Sequence, residues 1–225
     1  WTSSNRLTLN AERHVYVNQT ITTRAGEVYL RADANAACVA SATNCGTVYF
    51  SEAPAAPTTL ISALKTTLVL NPARNSGGTL LDATPTFAFF DPTRFRNRVS
   101  GNLEQLLLVN SPEQFRGIGT NLDASYILSR DIAFAFNTPG GSGAIGGVFS
   151  GRLEGNNKTL SGLSMTVSGA NGGLFSSIAE TGVIRNLTVA NSAVYSNSLG
   201  SFGLIAGTNA GLIDNVSSAS SNFVG

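Results

Sequence analysis

Two stretches of this chain are near copies. Gly173-Leu174-Phe175, followed by Gly182-Val183-Ile184-Arg185-Asn186-Leu187, returns as Gly203-Leu204-Ile205, followed by Gly211-Leu212-Ile213-Asp214-Asn215-Val216. The offsets are 30 and 29 residues. A looser, earlier copy holds Gly147-Val148-Phe149 and Thr159-Leu160-Ser161-Gly162-Leu163. A period of this size is the mark of a solenoid, a propeller or an array. The apolar triplets have strand length, and no single copy can bury its own apolar side. Stacking buries it against the next copy, at ~4.8 Å per coil. At ~25 residues per coil the chain would form roughly seven to nine coils, about 35–45 Å of rod.

Stacking makes specific demands. Leu174, Phe175, Ile184, Leu187 and Val189 should lie over Leu204, Ile205, Ile213 and Val216 as an inner face. Asn186 should sit beside Asn215, where one amide can hydrogen-bond the like amide of the next coil. Arg185 and Asp214 take matching outward positions and would pair across the rung. Gly182 and Gly211 would occupy turns at positive φ.

Composition agrees with strands and turns. Asn, Ser, Thr and Gly number 21, 25, 22 and 24 of 225 residues. These favour turns and strands over helix. Charged residues are 12% and the formal net charge is +1. No field exists to capture nucleic acid or an anionic membrane.

The chain reads as three segments. In residues 1–50, Leu7, Leu9 and Ala11, then Val15 and Val17, alternate between turn residues spaced as in short-stranded β folds. Residues 51–100 hold five of the seven prolines and read as an irregular excursion, with strand candidates at Thr66–Leu70 and Phe87–Phe90. Residues 101–225 carry the repeats, behind one short helix. Ser111 suits its N-cap, Pro112 its first position and Gln114 the capping-box position, with Phe115 and Ile118 on one face. The strand pattern runs on to Gly225 without an atypical capping coil, so the chain is expected to be a segment of something longer.

Cys38 and Cys45 enclose six residues of a turn-rich loop. A structural disulfide suits them, contributing about 2.5 kcal/mol by chain entropy. The alternative is a metal or redox pair, for which the lack of a nearby His and the spacing argue poorly. His14, the one histidine, sits in an alternating stretch at a position expected to face solvent. Gly141-Ser142-Gly143-Ala144-Ile145-Gly146 matches a dinucleotide fingerprint by letter, but the residues after it cannot open the required helix. Glu154, Glu180 and Asp214 are the acids of residues 151–225. Glu180 and Asp214 flank the turns of successive copies, without the aromatic platforms that sugar hydrolysis favours. Four sequons begin at Asn18, Asn157, Asn186 and Asn215, about the number chance supplies. Arg94, Arg96 and Arg98 would share one face of a strand, either as a glycan or phosphate contact or as a charged edge that discourages strand pairing.

The run Leu108-Val109-Asn110-Ser111-Pro112-Glu113-Gln114-Phe115-Arg116-Gly117-Ile118-Gly119-Thr120-Asn121-Leu122, then Tyr126–Ile132, resembles the lead-in to the GLUG repeats of bacterial surface proteins. Phe149–Leu163 continues it, and the two copies above resemble the repeats themselves. Residues 7–50 are similar to strand-turn stretches of filamentous-haemagglutinin-like exoproteins. The resemblance implies an all-β, right-handed parallel β-helix exported by two-partner secretion from a Gram-negative bacterium. It further implies an outer-membrane secretion partner, and a place outside the cell or on its surface. The expected role is non-enzymatic, without cofactor or metal: a rod segment of an adhesin or biofilm-matrix exoprotein. Such a segment would meet surface glycan or protein and self-associate in fibres. The alternatives are a polysaccharide-active β-helix enzyme and a repeat spacer of a larger toxin or protease.

Overall fold

A computed structural model describes residues 4–23, 25–39, 45–51, 58–72, 87–134, 145–167, 170–196 and 199–224. Among the described residues the chain is mostly β-strand, with parallel sheets and a single short α-helix. It divides into two compact units, Trp1–Leu108 and Val109–Gly225. The division falls away from positions 50 and 100, where composition alone drew its boundaries.

The first unit contains β1 (Leu7–Asn10), β2 (Val15–Val17), β3 (Ile21–Thr22), β4 (Glu27–Arg31), β5 (Val48–Phe50), β6 (Ile61–Leu70) and β7 (Val99–Val109, whose last residue opens the second unit). Strands β1, β4, β6 and β7 pair in that order, all parallel, and β3 also pairs β6. Strands β2 and β5 form a separate parallel pair. Alternation sets the buried side: Val15 and Val17 face in on β2 while Tyr16 faces out. Val28, Leu30, Leu68, Leu70, Val48 and Phe50 join them in one core. Residues 51–100 are thus more than an excursion. Ile61–Leu70 is a ten-residue strand between β4 and β7. Phe87–Phe89, expected as strand, is a 3-10 turn with Phe87 buried. A short apolar run does not by itself distinguish the two. Residues 52–57 and 73–86, with three of the prolines, lie outside the described residues.

The second unit opens with α1 (Pro112–Gly117). Ser111 caps it, accepting from the Gln114 backbone N–H at 3.3 Å. The Gln114 side chain reaches one residue further back than a standard capping box, accepting from the Asn110 N–H at 2.6 Å. Phe115 and Ile118 are fully buried, as their shared face requires.

The strands that follow are β8 (Ser125–Leu128), β9 (Ile132–Ala133), β10 (Ile145–Phe149), β11 (Arg152–Ser161), β12 (Ser164–Val167), β13 (Asn171–Gly172), β14 (Phe175–Ile178), β15 (Val183–Ala190), β16 (Ala193–Ser196), β17 (Ser201–Phe202), β18 (Ala206–Asn209), β19 (Leu212–Ala219) and β20 (Asn222–Val224). They form four parallel arrays: β8-β11-β15-β19, β10-β14-β18, β12-β16-β20 and β13-β17, with β9 also on β11. Parallel neighbours need a long connection, and one repeat supplies it.

The registers match the stacking read from sequence between β15 and β19 and differ by one residue between β14 and β18, where Phe175 pairs with Ala206 rather than Ile205. Ile184 pairs with Ile213 and Leu187 with Val216. The N–H groups of Leu174 and Phe175 donate to the Leu204 and Ile205 carbonyls. Tyr126, Leu153 and Ile184 follow one another across β8, β11 and β15, all fully buried. Phe149 and Phe175 pack with ring centroids 4.7 Å apart.

The repeat glycines work differently from expectation. Among the described glycines, positive φ belongs to Gly101, Gly147 and Gly162, not to Gly182 or Gly211. A Cβ on Gly211 would meet the Gly182 oxygen at 2.3 Å and the Ala179 oxygen at 2.4 Å. One on Gly182 would meet the Phe149 oxygen at 2.6 Å. Close approach of neighbouring backbone, rather than φ, excludes a side chain there. Gly182→Ala and Gly211→Ala should each destabilise by about 1–3 kcal/mol in urea unfolding, since backbone cannot yield as a side chain can. Exposed Ser218→Ala should stay within about 0.5 kcal/mol; equal effects at all three sites would refute the steric account.

Candidate functional site

The left-handed conformation at the repeat corners falls to asparagine. Asn156, Asn157, Asn186 and Asn215 have φ of 52, 56, 53 and 49°. Asparagine tolerates this region better than other residues with a Cβ. At the next corner the same conformation recurs in Gly162, Asn191 and Ser220.

The first corner carries a hydrogen-bond relay. The Asn215 amide Nδ2 donates to Asn186 Oδ1 at 2.8 Å. Asn186 Nδ2 donates in turn to Glu154 Oε1, also at 2.8 Å. Glu154 is only 8% exposed. It also accepts from Arg185 Nε at 2.6 Å, the Asn156 N–H at 3.1 Å and the Arg152 guanidinium at 3.2 Å. Burial pushes its carboxyl pKa up; Asn186, Arg185, Asn156 and Arg152 together outweigh that and hold it below the ordinary value. Arg185, expected to pair with Asp214, therefore turns to the preceding rung, although Asp214 is its register partner.

Sequence reading placed Glu154 only among candidate acids. Its signal was Arg152 two residues before it, on the same strand face, with Arg185 at its register position one repeat later. Glu180 and Asp214 are both exposed and stand on no shared strand, Glu180 in the turn before β15 and Asp214 within β19.

Cys38 and Cys45 form a fully buried disulfide, as expected. Asp33 holds the near end of its loop: Oδ1 accepts from the N–H groups of Ala37 at 2.9 Å and Cys38 at 3.2 Å. Asn71 holds the far end, donating to the Gly46 carbonyl at 2.9 Å. His14 departs from its solvent-facing expectation. It is half-buried just before β2, where Nδ1 accepts from the Thr47 N–H at 3.2 Å. Its ring meets Tyr49 edge-on at 5.0 Å, and Tyr49 stacks on Tyr16.

The arginine strip is not a strand. Arg94, Arg96 and Arg98 lie in successive turns, with their N–H groups bonded to the carbonyls of Asp91, Thr93 and Phe95. Asp91 starts the run by accepting from the Thr93 N–H at 2.8 Å. Phe95 is buried and Arg94 lies 5.0 Å over its ring. The three side chains therefore do not share a strand face. Of the glycine fingerprint, residues 141–144 lie outside the described residues, and Ile145 and Gly146 begin strand β10. Among the described residues no group of three or more His, Cys, Asp or Glu side chains is placed to hold a metal ion.

The fold and corner relay define a repetitive parallel-β chain. It is similar to halomucin of Haloquadratum walsbyi, at 36% identity over 130 residues, covering 52% of this chain and 1% of halomucin. The chain thus spans about one-hundredth of the length of the curated relative it matches. Halomucin is a large archaeal surface protein. No family model and no solved structure matches this chain.

The Glu154 relay has a pH signature. Its depressed pKa means that its contribution to stability is present above the unfolded value, near pH 4.5, and lost as pH falls through the lower folded value. Glu154→Gln should cost about 1.5–3 kcal/mol at neutral pH, the range for hydrogen bonds to a charged group. The gap to wild type should close as the pH drops below about 4. Urea midpoints at several pH values measure it; a gap constant with pH would show that the carboxylate charge is not what the relay uses.

Proposed function

We propose that each unit is a right-handed parallel β-helix, and that the chain is a repeat segment of a secreted or cell-surface protein that mediates attachment without catalysis. The observation that carries this reading is the recurrence of one register in four parallel arrays. Successive repeats place like residues over like, Leu153-Ile184-Ile213 in one array and Met165-Val194-Phe223 in another. Repetition of this kind builds presented surface rather than a single deep site.

Three further observations support it. The buried disulfide suits an oxidising compartment. The near-zero net charge leaves recognition to short-range contacts. The likeness to halomucin is to a surface protein. The resemblance to filamentous-haemagglutinin-like and GLUG-repeat proteins points the same way. Its Gram-negative origin and two-partner export gain no support from an archaeal relative.

Beads coated with the purified chain should bind glycan- or protein-coated surfaces saturably. Binding should survive a rise in salt, because contacts without net charge are little screened. Retention no better than that of beads coated with an inert protein of equal size would refute the attachment role.

A further inference from the structure

Three sequons stack at the corner that carries the relay: Asn157-Lys158-Thr159, Asn186-Leu187-Thr188 and Asn215-Val216-Ser217. Their hydroxyl residues are register partners, Thr159 with Thr188 and Thr188 with Ser217. The number of sequons carries no weight, but their surroundings separate them. A sequon is an acceptor through its amide nitrogen and the hydroxyl two residues on.

The two later sequons are tied up. Asn186 accepts from Asn215 at its oxygen and donates to Glu154 from its nitrogen, each at 2.8 Å. Asn215 commits its nitrogen to the first of these bonds. The Thr188 and Ser217 hydroxyls bond each other at 3.0 Å.

In the earliest copy the corner is longer. Glu154 pairs with Arg185 and Lys158 with Leu187, so Gly155, Asn156 and Asn157 stand opposite Asn186 alone. Gly155 keeps the two strands close there, since a Cβ on it would meet the Asn186 oxygen at 2.3 Å. Asn156 takes the structural part. Its Nδ2 donates to the Leu128 carbonyl and its backbone N–H to Glu154 Oε1, both at 3.1 Å. Asn157 is the surplus residue, and a bulge of this kind re-aims a side chain. Two left-handed residues in succession, with φ of 52 and 56°, leave Asn157 exposed. The Thr159 N–H donates to Asp131 Oδ1 at 2.8 Å, which anchors the backbone on the other side of Lys158. Neither the Asn157 amide nor the Thr159 hydroxyl has a hydrogen-bond partner among the described residues. Of the three stacked sequons, this one alone presents both groups free.

We propose that Asn157 carries an N-linked glycan, added to the folded chain, and that Asn186 and Asn215 do not. The donor is a saccharide held at its anomeric carbon by a lipid-linked phosphate. Asn157 Nδ2 bonds to that carbon and the carbon–oxygen bond to phosphate breaks. The lipid phosphate leaves with the electron pair, and Nδ2 gives up one proton. The inference rests on the reading of the chain as a secreted or cell-surface protein, because such donors meet their acceptors outside the cytoplasm.

Site-resolved mass spectrometry of the chain isolated from its producing cells tests it. Peptides holding Asn157 should carry glycan, and those holding Asn186 and Asn215 should be bare. Asn157→Gln and Thr159→Ala should each abolish the modification, and Thr159→Ser should retain it, with urea midpoints showing that all three variants fold. Membranes of the same cells, supplied with their lipid-linked saccharide, should glycosylate synthetic peptides of all three sequons but the folded chain only at Asn157. A bare Asn157 overturns the proposal, as does glycan at all three sites. Rejection of the Asn186 and Asn215 peptides also overturns it, since sequence and not the fold would then make the choice. Protease treatment of intact cells, run in parallel, separates the two readings. A chain cleaved at the surface but bare at Asn157 removes the glycan alone. A chain protected inside the cell and bare at Asn157 removes both.

Discussion

Parallel pairing between strands one repeat apart governs the second unit. Because pairing is in register, each residue meets its counterpart from the next copy. A buried position must then be apolar in successive copies, as in Tyr126, Leu153 and Ile184. A position where backbones converge must lack a Cβ, as at Gly182 and Gly211. A corner that bends left-handed must hold a residue that tolerates it, as Asn186 and Asn215 do. One constraint thus fixes three residue classes, and the repeat visible in the sequence is their joint trace.

The corner relay shows how such a structure accommodates a buried acid. A lone carboxylate at this depth would be expensive. Glu154 instead receives two guanidinium groups, a side-chain amide and a backbone N–H. Three of these donors, Arg152, Asn156 and Arg185, come from its own strand or its register partner, and Asn186 follows Arg185 directly. Repetition assembles the cage from one strand and its neighbour a single repeat later.

What could be read from the sequence follows the same physics. Spacing and apolar identity revealed the inner face, because copies align by eye and stacking demands likeness. The helix start was legible because Ser111, Pro112 and Gln114 act locally. Glycine's role at the repeats was misassigned: sequence shows that a residue must be small, but not whether φ or a neighbouring carbonyl requires it. The turns at Arg94–Arg98 were missed although Asp91-Pro92-Thr93 announces one, since alternating Arg residues imitate a strand. The bulge that sets Ala63 and Leu64 opposite Gly101 was invisible because a bulge exists only between strands, and Gly101 is separated from Ala63 by 38 positions.

The relay also has a direction. Each asparagine gives its N–H toward the earlier copy and leaves its carbonyl oxygen toward the later one. Glu154, in register with Arg185 just before the corner, can only accept, so the chain of donors ends on it. Tandem duplication of a 29-residue unit carrying asparagine at this corner would therefore extend the array with every bond intact. A duplicated unit carrying aspartate or glutamate there would break the chain of donors. A gene that grows by copying such units has a built-in grammar, in which asparagine corners lengthen the run.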